Sequence, residues 1–495
     1  MSDRKPVEVI FAAGQFEWLH AHLFQPGGDE QAAYAFAAPA DSGDRLRLLV
    51  HHIIPMERAD FDIQNGGYLQ LTEDAARRVA RYAYAEASEF SLIEIHSHPF
   101  AHERVSFSGI DTGEAKPRFA WFASHMTQPF HHLMVVFGTD SADGMIYEPD
   151  SGEMVKIDGV TVLSHPIRRY EISPHSRPVA LGDTYQTRLT RQVQAFGAAG
   201  QARVAATRVG IVGLGGMGSA IAQQLAYLGV RDFVLLDADT VETHNLNRLF
   251  GGRLDDAAQK RRKVDVAADM IRGIDPAARV TVLAETFPTV ATVSALKAAD
   301  VLFGCVDSNG SRLLLNTFAV QYMLPYIDIG VGIDADTSGK LTEAGGQYRV
   351  VMPGGFCLDC VRAINPIAAS NDLLSPEQRK VHQERGYIPS EDIPAPAVVF
   401  LNGTLASLAV GEFLNMLTGY RAAQRLTYYF LHDQTMRTVD VGDRRPDCPT
   451  CIPAGRMAHG DLEPVLGLPV AAAVNLSNIP RPGDGRSHPA QQPGG

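Results

Sequence analysis

Two histidines and an aspartate in the first quarter of the chain have the types and spacing of metal ligands. His96 and His98 lie two positions apart at the end of an apolar, strand-like run, and Asp111 follows 13 positions later. Two imidazoles on extended backbone and one carboxylate can bind one zinc ion and leave its fourth position open to water. Zinc lowers the pKa of that water to about 7, so hydroxide is available for attack on an amide.

The order of these residues resembles the H-x-H-P…S-x-x-D motif of the JAMM family of metallopeptidases, which deubiquitinating enzymes share. The resemblance implies that His96, His98 and Asp111 bind a catalytic zinc ion and that Ser108 stabilises the oxyanion. It also implies a cytidine-deaminase-like α/β domain over residues 1–170. The eight residues that precede Ser108 after the H-x-H-P motif are slightly more than the family's usual spacing.

The same family needs an upstream glutamate as general base, and the sequence offers two. We assign this role to Glu30, because a strand-like run of small and aromatic residues follows it. Glu57 is the alternative.

A glycine-rich segment lies between a predicted strand at residues 208–213 and a predicted helix at 219–228. Its glycines are Gly213, Gly215, Gly216 and Gly218. Glycines in this setting let phosphate oxygens approach the N–H groups of a helix N-terminus. Asp237, 19 residues after Gly218, is placed to bind ribose hydroxyls. Taken alone, these features favour a dinucleotide-dependent dehydrogenase.

The residues that follow change this interpretation. Residues 237–248 resemble the D-x-D-x-V-x-x-x-N-L-N-R signature of the ThiF/MoeB/ubiquitin-activating family, whose members adenylate the C-terminal carboxylate of a ubiquitin-like protein. The similarity extends over about residues 186–452. Besides the glycines, the matching positions are Arg188, Arg191, Asp237, Asp239, Asn245, Arg248, Lys263, Asp307 and Arg312. The resemblance implies a Rossmann-like domain that binds ATP and Mg²⁺.

The chemistry of adenylation accounts for the charged residues. Attack of a carboxylate on the α-phosphate builds negative charge and expels pyrophosphate, so catalysis depends on positioning and charge stabilisation. We place Arg248 and Lys263 on the phosphates, with Lys260 as a rival for Lys263. The family places a Mg²⁺ ligand at the position of Asp307, and Mg²⁺ favours one or two carboxylates plus phosphate oxygens.

The remaining motif residues complete the predicted nucleotide site. Asp237 would bind the ribose, and Asp239 and Asn245 would line the site. By resemblance, Arg191 reaches the phosphates in the site of a partner subunit, which implies a homodimer.

Four of the five cysteines form two C-x-x-C pairs, Cys357/Cys360 and Cys448/Cys451. In a reducing compartment such pairs indicate a Cys₄ zinc site, which is structural because no coordination position stays open. The fifth, Cys305, lies in a predicted core strand. Many ubiquitin-activating enzymes carry a nucleophilic cysteine between the zinc pairs. This chain has none there, so we expect the adenylate to pass to an external acceptor without an enzyme thioester.

The predicted elements divide the chain into two α/β domains. Besides residues 208–213, strands are predicted at 7–12, 46–54, 91–96, 132–138, 233–237, 280–284, 300–305, 326–330, 348–352, 426–432 and 437–441, and an amphipathic helix at 72–87. Alternation of strands and helices after residue 186 favours a parallel sheet. We predict domains at 1–170 and 186–459, a linker at 171–185, and a disordered tail at 460–495 that ends in Gly494 and Gly495.

Composition excludes several classes of protein. The 495 residues carry a formal net charge of −12, which argues against a nucleic-acid-binding protein. No uninterrupted apolar stretch of membrane-spanning length is seen, and the N-terminus lacks the apolar core of a secretory signal. We therefore expect a cytoplasmic protein that does not bind membranes.

The two motif sets together suggest one enzyme with two activities. It would cleave at the C-terminal end of a ubiquitin-like protein and adenylate the exposed Gly-Gly terminus. The alternatives are activation of a sulfur carrier for cofactor or metabolite biosynthesis, and an adenylyltransferase whose JAMM-like domain only binds its partner. A conjugating enzyme or a sulfurtransferase would accept the activated protein.

Overall fold

The computed structural model describes residues 4–125, 131–173, 183–336, 338, 340–385, 387–388 and 396–468. The predicted linker falls mostly outside these residues, as do Gly494 and Gly495. The structural statements that follow concern the described residues.

The N-terminal domain is built on a nine-stranded mixed sheet. Its strands and the strands of a separate hairpin are β1 (Val7–Ala12), β2 (Ala32–Asp41), β3 (Leu46–Pro55), β4 (Phe61–Asn65), β5 (Tyr68–Leu71), β6 (Ser91–Ser97), β7 (Leu133–Phe137), β8 (Ala142–Glu148), β9 (Glu153–Lys156), β10 (Gly159–Leu163) and β11 (Arg168–Glu171). The order in the sheet is β11-β10-β1-β3-β2-β6-β7-β8-β9, and β4 pairs only with β5. The helices are α1 (Ala13–Leu23), α2 (Glu73–Ala85) and α3 (Gly109–His125).

Alternation of side chains along the strands gives this sheet two apolar faces. On one face, Val9 and Phe11 of β1 pack with Phe16 and Leu19 of α1. On the other, Ile10 of β1 packs with the C-terminal domain, while β2 and β6 are covered by α2 and α3. The predicted helix at 72–87 is α2, and the Thr72 hydroxyl caps it by accepting a hydrogen bond from the Ala75 N–H.

The C-terminal domain is an eight-stranded sheet with helices on its faces. Its strands are β12 (Arg208–Val212), β13 (Asp232–Leu236), β14 (Arg279–Leu283), β15 (Val301–Gly304), β16 (Tyr326–Ala335), β17 (Leu341–Val351), β18 (Leu426–Phe430) and β19 (Thr435–Thr438). Its helices are α4 (Asp183–Ala206), α5 (Gly216–Leu228), α6 (Leu254–Ala258), α7 (Lys263–Ile274), α8 (Val290–Leu296), α9 (Asn309–Gln321), α10 (Pro366–Asp372), α11 (Pro376–Glu384) and α12 (Val399–Thr418).

The order of this sheet, β14-β13-β12-β15-β16-β17-β18-β19, creates a switch point between β12 and β15. In this order the first five strands, from β14 to β16, are parallel to one another. Each of the last three strands, β17, β18 and β19, runs antiparallel to the strand before it. In open parallel sheets, ligands bind beyond the carboxyl ends of the strands at such a point. The glycine-rich segment leaves β12 there and enters α5.

By length and composition alone, helix α12 could span a membrane, although polar residues interrupt its apolar stretch in the sequence. It packs along α5, and Leu401, Leu405 and Phe413 are fully buried. Because core helices of globular domains pass the same test, this packing identifies α12 as part of the core.

The N-terminal domain rests on the amino ends of the parallel strands of the C-terminal sheet. Arg45 and Arg47, at the start of β3, donate hydrogen bonds of 2.9 and 2.5 Å to the carboxylate of Asp300, which directly precedes β15. Arg47 also donates to the Ala299 carbonyl at 2.5 Å. The carboxyl ends of β12 and β15 therefore point away from the N-terminal domain.

The segment 452–468 also contacts the N-terminal domain. The prediction of a tail that is disordered from residue 460 is therefore wrong for residues 460–468. The Asp461 carboxylate accepts hydrogen bonds from Lys297 Nζ (2.8 and 3.0 Å) and from the Asp41 N–H of β2 (2.7 Å). Val465 and Leu468 are buried. The proline- and glycine-rich composition concealed these contacts, which hold the segment through residue 468.

Candidate adenylation and metal sites

The glycine loop takes a shape that most side chains would prevent. Gly213 has φ +89°, and a Cβ there would lie 2.5 Å from the Cys305 carbonyl oxygen. A Cβ on Gly218 would lie 1.8 Å from the Gly213 oxygen. Gly215, the N-cap of α5, faces open space. The loop thus packs tightly on the protein side and leaves the N-terminus of α5 accessible to a ligand.

Asp237 joins this loop to the carboxyl end of β13. Its Oδ2 accepts a hydrogen bond from the Leu214 N–H at 2.6 Å, and its Oδ1 accepts one from the Asp239 N–H at 2.8 Å. Burial raises the pKa of Asp237 above its usual value. The carboxylate therefore holds the loop, and the ribose contact stays a prediction.

Two cations lie beside the loop. Lys263 is the first residue of α7, and its Nζ is 2.7 Å from Asp239 Oδ2. Its side chain is only 11% exposed, whereas Lys260 is exposed in a turn with φ +49°. Arg248 lies with its Cγ 3.0 Å from the position of a Cβ on Gly216, in the first turn of α5. This placement favours Lys263 over Lys260 as the second phosphate-binding residue.

The side chains of Asp307 and Asn245 differ in exposure and in hydrogen bonding, and so in whether they are available to a ligand. Asp307 is exposed just beyond the carboxyl end of β15, as a Mg²⁺ ligand must be. Asn245 is buried, and its Oδ1 accepts a hydrogen bond from the Glu242 N–H within a short turn. The described contact of Asn245 is thus structural.

Arg191 is not brought to the glycine loop of its own chain. It is exposed on α4, and the neighbouring Gln192 donates to the carbonyl of Tyr227 near the far end of α5. That helix has 13 residues, so its two ends are about 18 Å apart. Arg188, another motif residue, pairs with Asp275. The phosphate contact of Arg191 stays a prediction.

Cys305 directly follows β15 and lies beneath the glycine loop. Burial raises the pKa of its thiol, and the nearby Asp328 carboxylate raises it further. A thiol held protonated is a poor nucleophile, which agrees with the structural role predicted for it.

The two C-x-x-C pairs meet in space as predicted. All four Sγ atoms lie within 4.8 Å of one another, with Cys357–Cys448 at 3.6 Å and Cys360–Cys451 at 3.4 Å. Sulfurs that surround zinc tetrahedrally at about 2.3 Å lie ~3.8 Å apart. The four thiolates therefore fit a structural zinc ion that joins residues 357–360 to residues 448–451.

The N-terminal histidines and aspartate also converge. His96 Nε2 is 3.8 Å from Asp111 Oδ1, and His98 Nε2 is 3.9 Å from Asp111 Oδ2. Burial lowers the pKa of His96 to about 4, so the imidazole is neutral. Its buried Nε2 has no hydrogen-bond partner among the described residues. A neutral, unpartnered imidazole nitrogen beside a carboxylate fits a zinc ligand.

Of the two candidate bases, Glu30 is the one beside these residues. Its Oε1 lies 3.6 Å from His98 Nε2, and burial, together with Asp111, raises the pKa of Glu30 to about 7. Glu57 is exposed at the N-cap of a short 3₁₀ helix, Arg58–Asp60. The geometry favours Glu30.

Ser108 makes its described contacts with the helix that carries Asp111. The Ser108 N–H donates to Asp111 Oδ2 at 2.7 Å, and the Asp111 N–H donates to Ser108 Oγ at 3.2 Å. This reciprocal pair caps the start of α3. It orients Asp111, while the oxyanion contact of Ser108 stays a prediction.

A cavity of about 310 Å³ opens beside the candidate metal-binding residues, between the β4–β5 hairpin and helices α2 and α3. Glu30, His96 and Asp111 lie on its wall, together with Arg118 and Glu94. Arg118 donates two hydrogen bonds to Glu94, at 2.6 and 2.5 Å. No sequence motif indicates this pair, because Arg118 and Glu94 lie 24 positions apart on different elements.

Comparison with known proteins decides the assignment of the C-terminal domain. A model of the ThiF family matches residues 189–450, more than half of the chain. The chain belongs to the ThiF family. The N-terminal domain, with its candidate zinc site, lies outside the matched residues.

Two relatives align along nearly their whole length. The SAMP-activating enzyme E1 of Haloferax volcanii is 28% identical over 290 residues, which cover 58% of this chain and 96% of the relative. The molybdopterin-synthase adenylyltransferase of Escherichia coli is 27% identical over 275 residues, which cover 55% of this chain and 98% of the relative. Among solved structures, E. coli MccB is 19% identical with a TM-score of 0.43, over 57% of this chain and 75% of that one.

Proposed function

We propose that the C-terminal domain uses ATP to adenylate the C-terminal carboxylate of a small ubiquitin-like or sulfur-carrier protein. The observation that carries this proposal is the accessible N-terminus of α5 with Arg248, Lys263 and Asp307 around it. Membership of the ThiF family and the names of the two adenylating or activating relatives support it.

In the proposed reaction, a carboxylate oxygen of the carrier attacks the α-phosphorus of ATP. A bond forms between that oxygen and phosphorus, and the bond to the pyrophosphate oxygen breaks. Arg248, Lys263 and the first-turn N–H groups of α5 stabilise the growing negative charge. Mg²⁺ on Asp307 would neutralise phosphate charge.

Activation of a sulfur carrier is the better supported destination of the adenylate. One relative is named for molybdopterin synthase, and the chain carries no cysteine between Cys360 and Cys448 to form a thioester. The carrier would end in Gly-Gly, and a sulfurtransferase would receive the adenylate directly. A ubiquitin-like conjugation pathway with a separate conjugating enzyme is the competing destination.

ATP–pyrophosphate exchange tests the adenylation step. Exchange is expected with wild-type protein only when a Gly-Gly-ended carrier is present. The double variant Arg248→Ala/Asp307→Ala should lose nearly all of it, and the exposed-lysine control Lys260→Ala should retain it. Full exchange by the double variant would contradict the site assignment.

We further propose that the N-terminal domain is a zinc-dependent peptidase that acts at the C-terminal end of such a carrier. The buried and unpartnered Nε2 of His96 beside Asp111, with Glu30 at 3.6 Å from His98, supports this second activity. Zinc would supply an activated water there. Glu30 would take the proton of that water and pass it to the leaving amine.

Cleavage of a carrier extended beyond Gly-Gly tests the peptidase. We expect wild-type cleavage to be abolished by a chelator and by Glu30→Gln or His98→Ala, and to be unaffected by Glu57→Gln. Wild-type protein that binds zinc at this site and carrier, yet cleaves nothing, would instead identify the domain as a binding module.

A homodimer is also part of the proposal, because the residue next to Arg191 contacts the end of α5 that is far from the glycine loop. Mixing an Arg191→Ala variant with an Arg248→Ala variant should restore exchange in mixed dimers. Each mixed dimer would hold one site with both arginines intact.

A further inference from the structure

Asn402 lies in the first turn of α12, where that helix packs along α5. Asn402 is buried, with only 3% of the residue exposed to solvent. Neighbouring positions on the same helix, such as Leu401 and Leu405, are apolar and fully buried. An amide among them is costly unless something accepts its hydrogen bonds.

The Asn402 amide lies against the glycine loop where the loop enters α5. A Cβ on Gly216 would lie 2.3 Å from Asn402 Nδ2 and 3.0 Å from Arg248 Cγ. Gly216 is the first residue of α5. The amide and the Arg248 side chain therefore converge on the helix N-terminus, whose first N–H groups have no partner within the helix.

The Asn402 amide atoms are not fully sealed from solvent. In the described part of the chain, the Asn402 side chain makes no hydrogen bond. Buried side-chain amides normally have one. Here the amide sits between a phosphate-binding helix terminus and an arginine. An anion at that terminus would be a suitable acceptor.

We propose that Asn402 is a further binding residue of the adenylation site and donates a hydrogen bond from Nδ2 to a phosphate oxygen of ATP. This inference rests on the proposed adenylation function and adds a residue outside the motif segments. A neutral donor fixes the position of the triphosphate without adding charge. It complements Arg248, whose stem lies against the same glycine.

The test is equilibrium binding of Mg-ATP, measured by calorimetry on the full-length chain without a carrier protein. Loss of one hydrogen bond to a charged group should weaken ATP binding about 10- to 100-fold in Asn402→Leu. Asn402→Asp should weaken it at least as much, because a carboxylate repels phosphate. Ser407→Ala is the matched control, since Ser407 is exposed on the same helix. It should bind ATP like wild type.

Adenosine separates a phosphate contact from a purely structural role. Competition of adenosine against a fluorescent ATP analogue should be the same for Asn402→Leu and wild type. Equal losses for adenosine and ATP, or unchanged ATP binding by Asn402→Leu, would overturn the inference and leave the adenylation proposal intact. Wild-type protein that binds no ATP would overturn both.

Discussion

Two glycines of the glycine loop differ in the reason why a side chain would be unfavourable there. At Gly218 the fold leaves no space for it, and at Gly215 it would occupy space open to a ligand. Gly218 has no room for a side chain, because its Cβ would meet the Gly213 oxygen at 1.8 Å. Gly215 has open space in front of it and an ordinary extended backbone. The two glycines should therefore respond differently to the same substitution.

Gly215→Ala should change the free energy of unfolding by no more than about 1 kcal/mol, the scale of an N-cap substitution. It should nevertheless weaken ATP binding, because the methyl group occupies the space open to phosphate. Gly218→Ala should destabilise the protein by about 3 kcal/mol or more, since backbone must move. Denaturant unfolding and calorimetric ATP titration measure the two effects. Equal loss of stability in both variants would contradict this division.

At this scale the sequence predicted the residues that recur in a motif and missed those brought together only by packing. Arg248, Lys263 and the cysteine pairs carry spacing that can be recognised. Asn402 lies 154 positions after Arg248 in an apolar helix, and nothing in its local sequence marks it. The strand-like run after Glu30 favours it over Glu57, and in the structure Glu30 lies beside His98.

At the scale of elements, the two C-x-x-C pairs join two parts of the chain that are distant in sequence. Cys357 and Cys360 follow β17, and Cys448 and Cys451 precede the segment 452–468 that contacts β2. Because structural zinc sites contribute directly to folding free energy, the C-terminal segment should depend on the metal for its position.

Cys448→Ser should reduce zinc content by one ion per chain and lower the melting temperature. It should also increase amide hydrogen exchange at residues 452–468. Cys305→Ser, a thiol outside the cluster, should retain the full zinc content. These effects are measured by atomic emission, calorimetry and mass spectrometry. Unchanged exchange in the segment would show that the Asp461–Lys297 pair holds it without zinc.

Most strands were predictable because their apolar runs are bounded by polar or glycine residues. Residues 7–12 coincide with β1, and residues 326–330 form the first half of β16. The second half of β16 was missed, because residues 331–335 are mostly exposed and pair with β17 rather than with the core. The β4–β5 hairpin was missed for the same reason, since its strands have little buried surface.

At the scale of the whole molecule, the two candidate sites lie at opposite ends. Strand β2 pairs with β6 at Ala32, opposite the candidate ligand His96, and contacts the C-terminal domain at Asp41. Those nine residue steps span about 30 Å. The candidate nucleotide site lies at the other end of β12, whose five residues span about 16 Å. A carrier tail of a few residues cannot reach both sites at once.

A carrier freed at the metal site should therefore dissociate before it is adenylated. A mixture of Glu30→Gln and Arg248→Ala proteins should convert an extended carrier to its adenylate at close to half the rate of the same total amount of wild type. Added unlabelled mature carrier should dilute a labelled product in proportion. A mixture that makes no product, with each single activity intact, would show direct transfer.

The contact between Asp461 and the Asp41 N–H also sets an order of events during synthesis. The strands of the N-terminal sheet end at residue 171, so that domain has all its pairing partners well before the second half of the chain is translated. The contact with Asp461 forms only after residues 460–468, which leave the ribosome last among the described residues. Before the C-terminal domain is made, the folded first domain leaves the apolar side chains of Ile10 and Leu49 exposed to solvent. Chaperones that bind exposed apolar sheet surface would find their target in this interval.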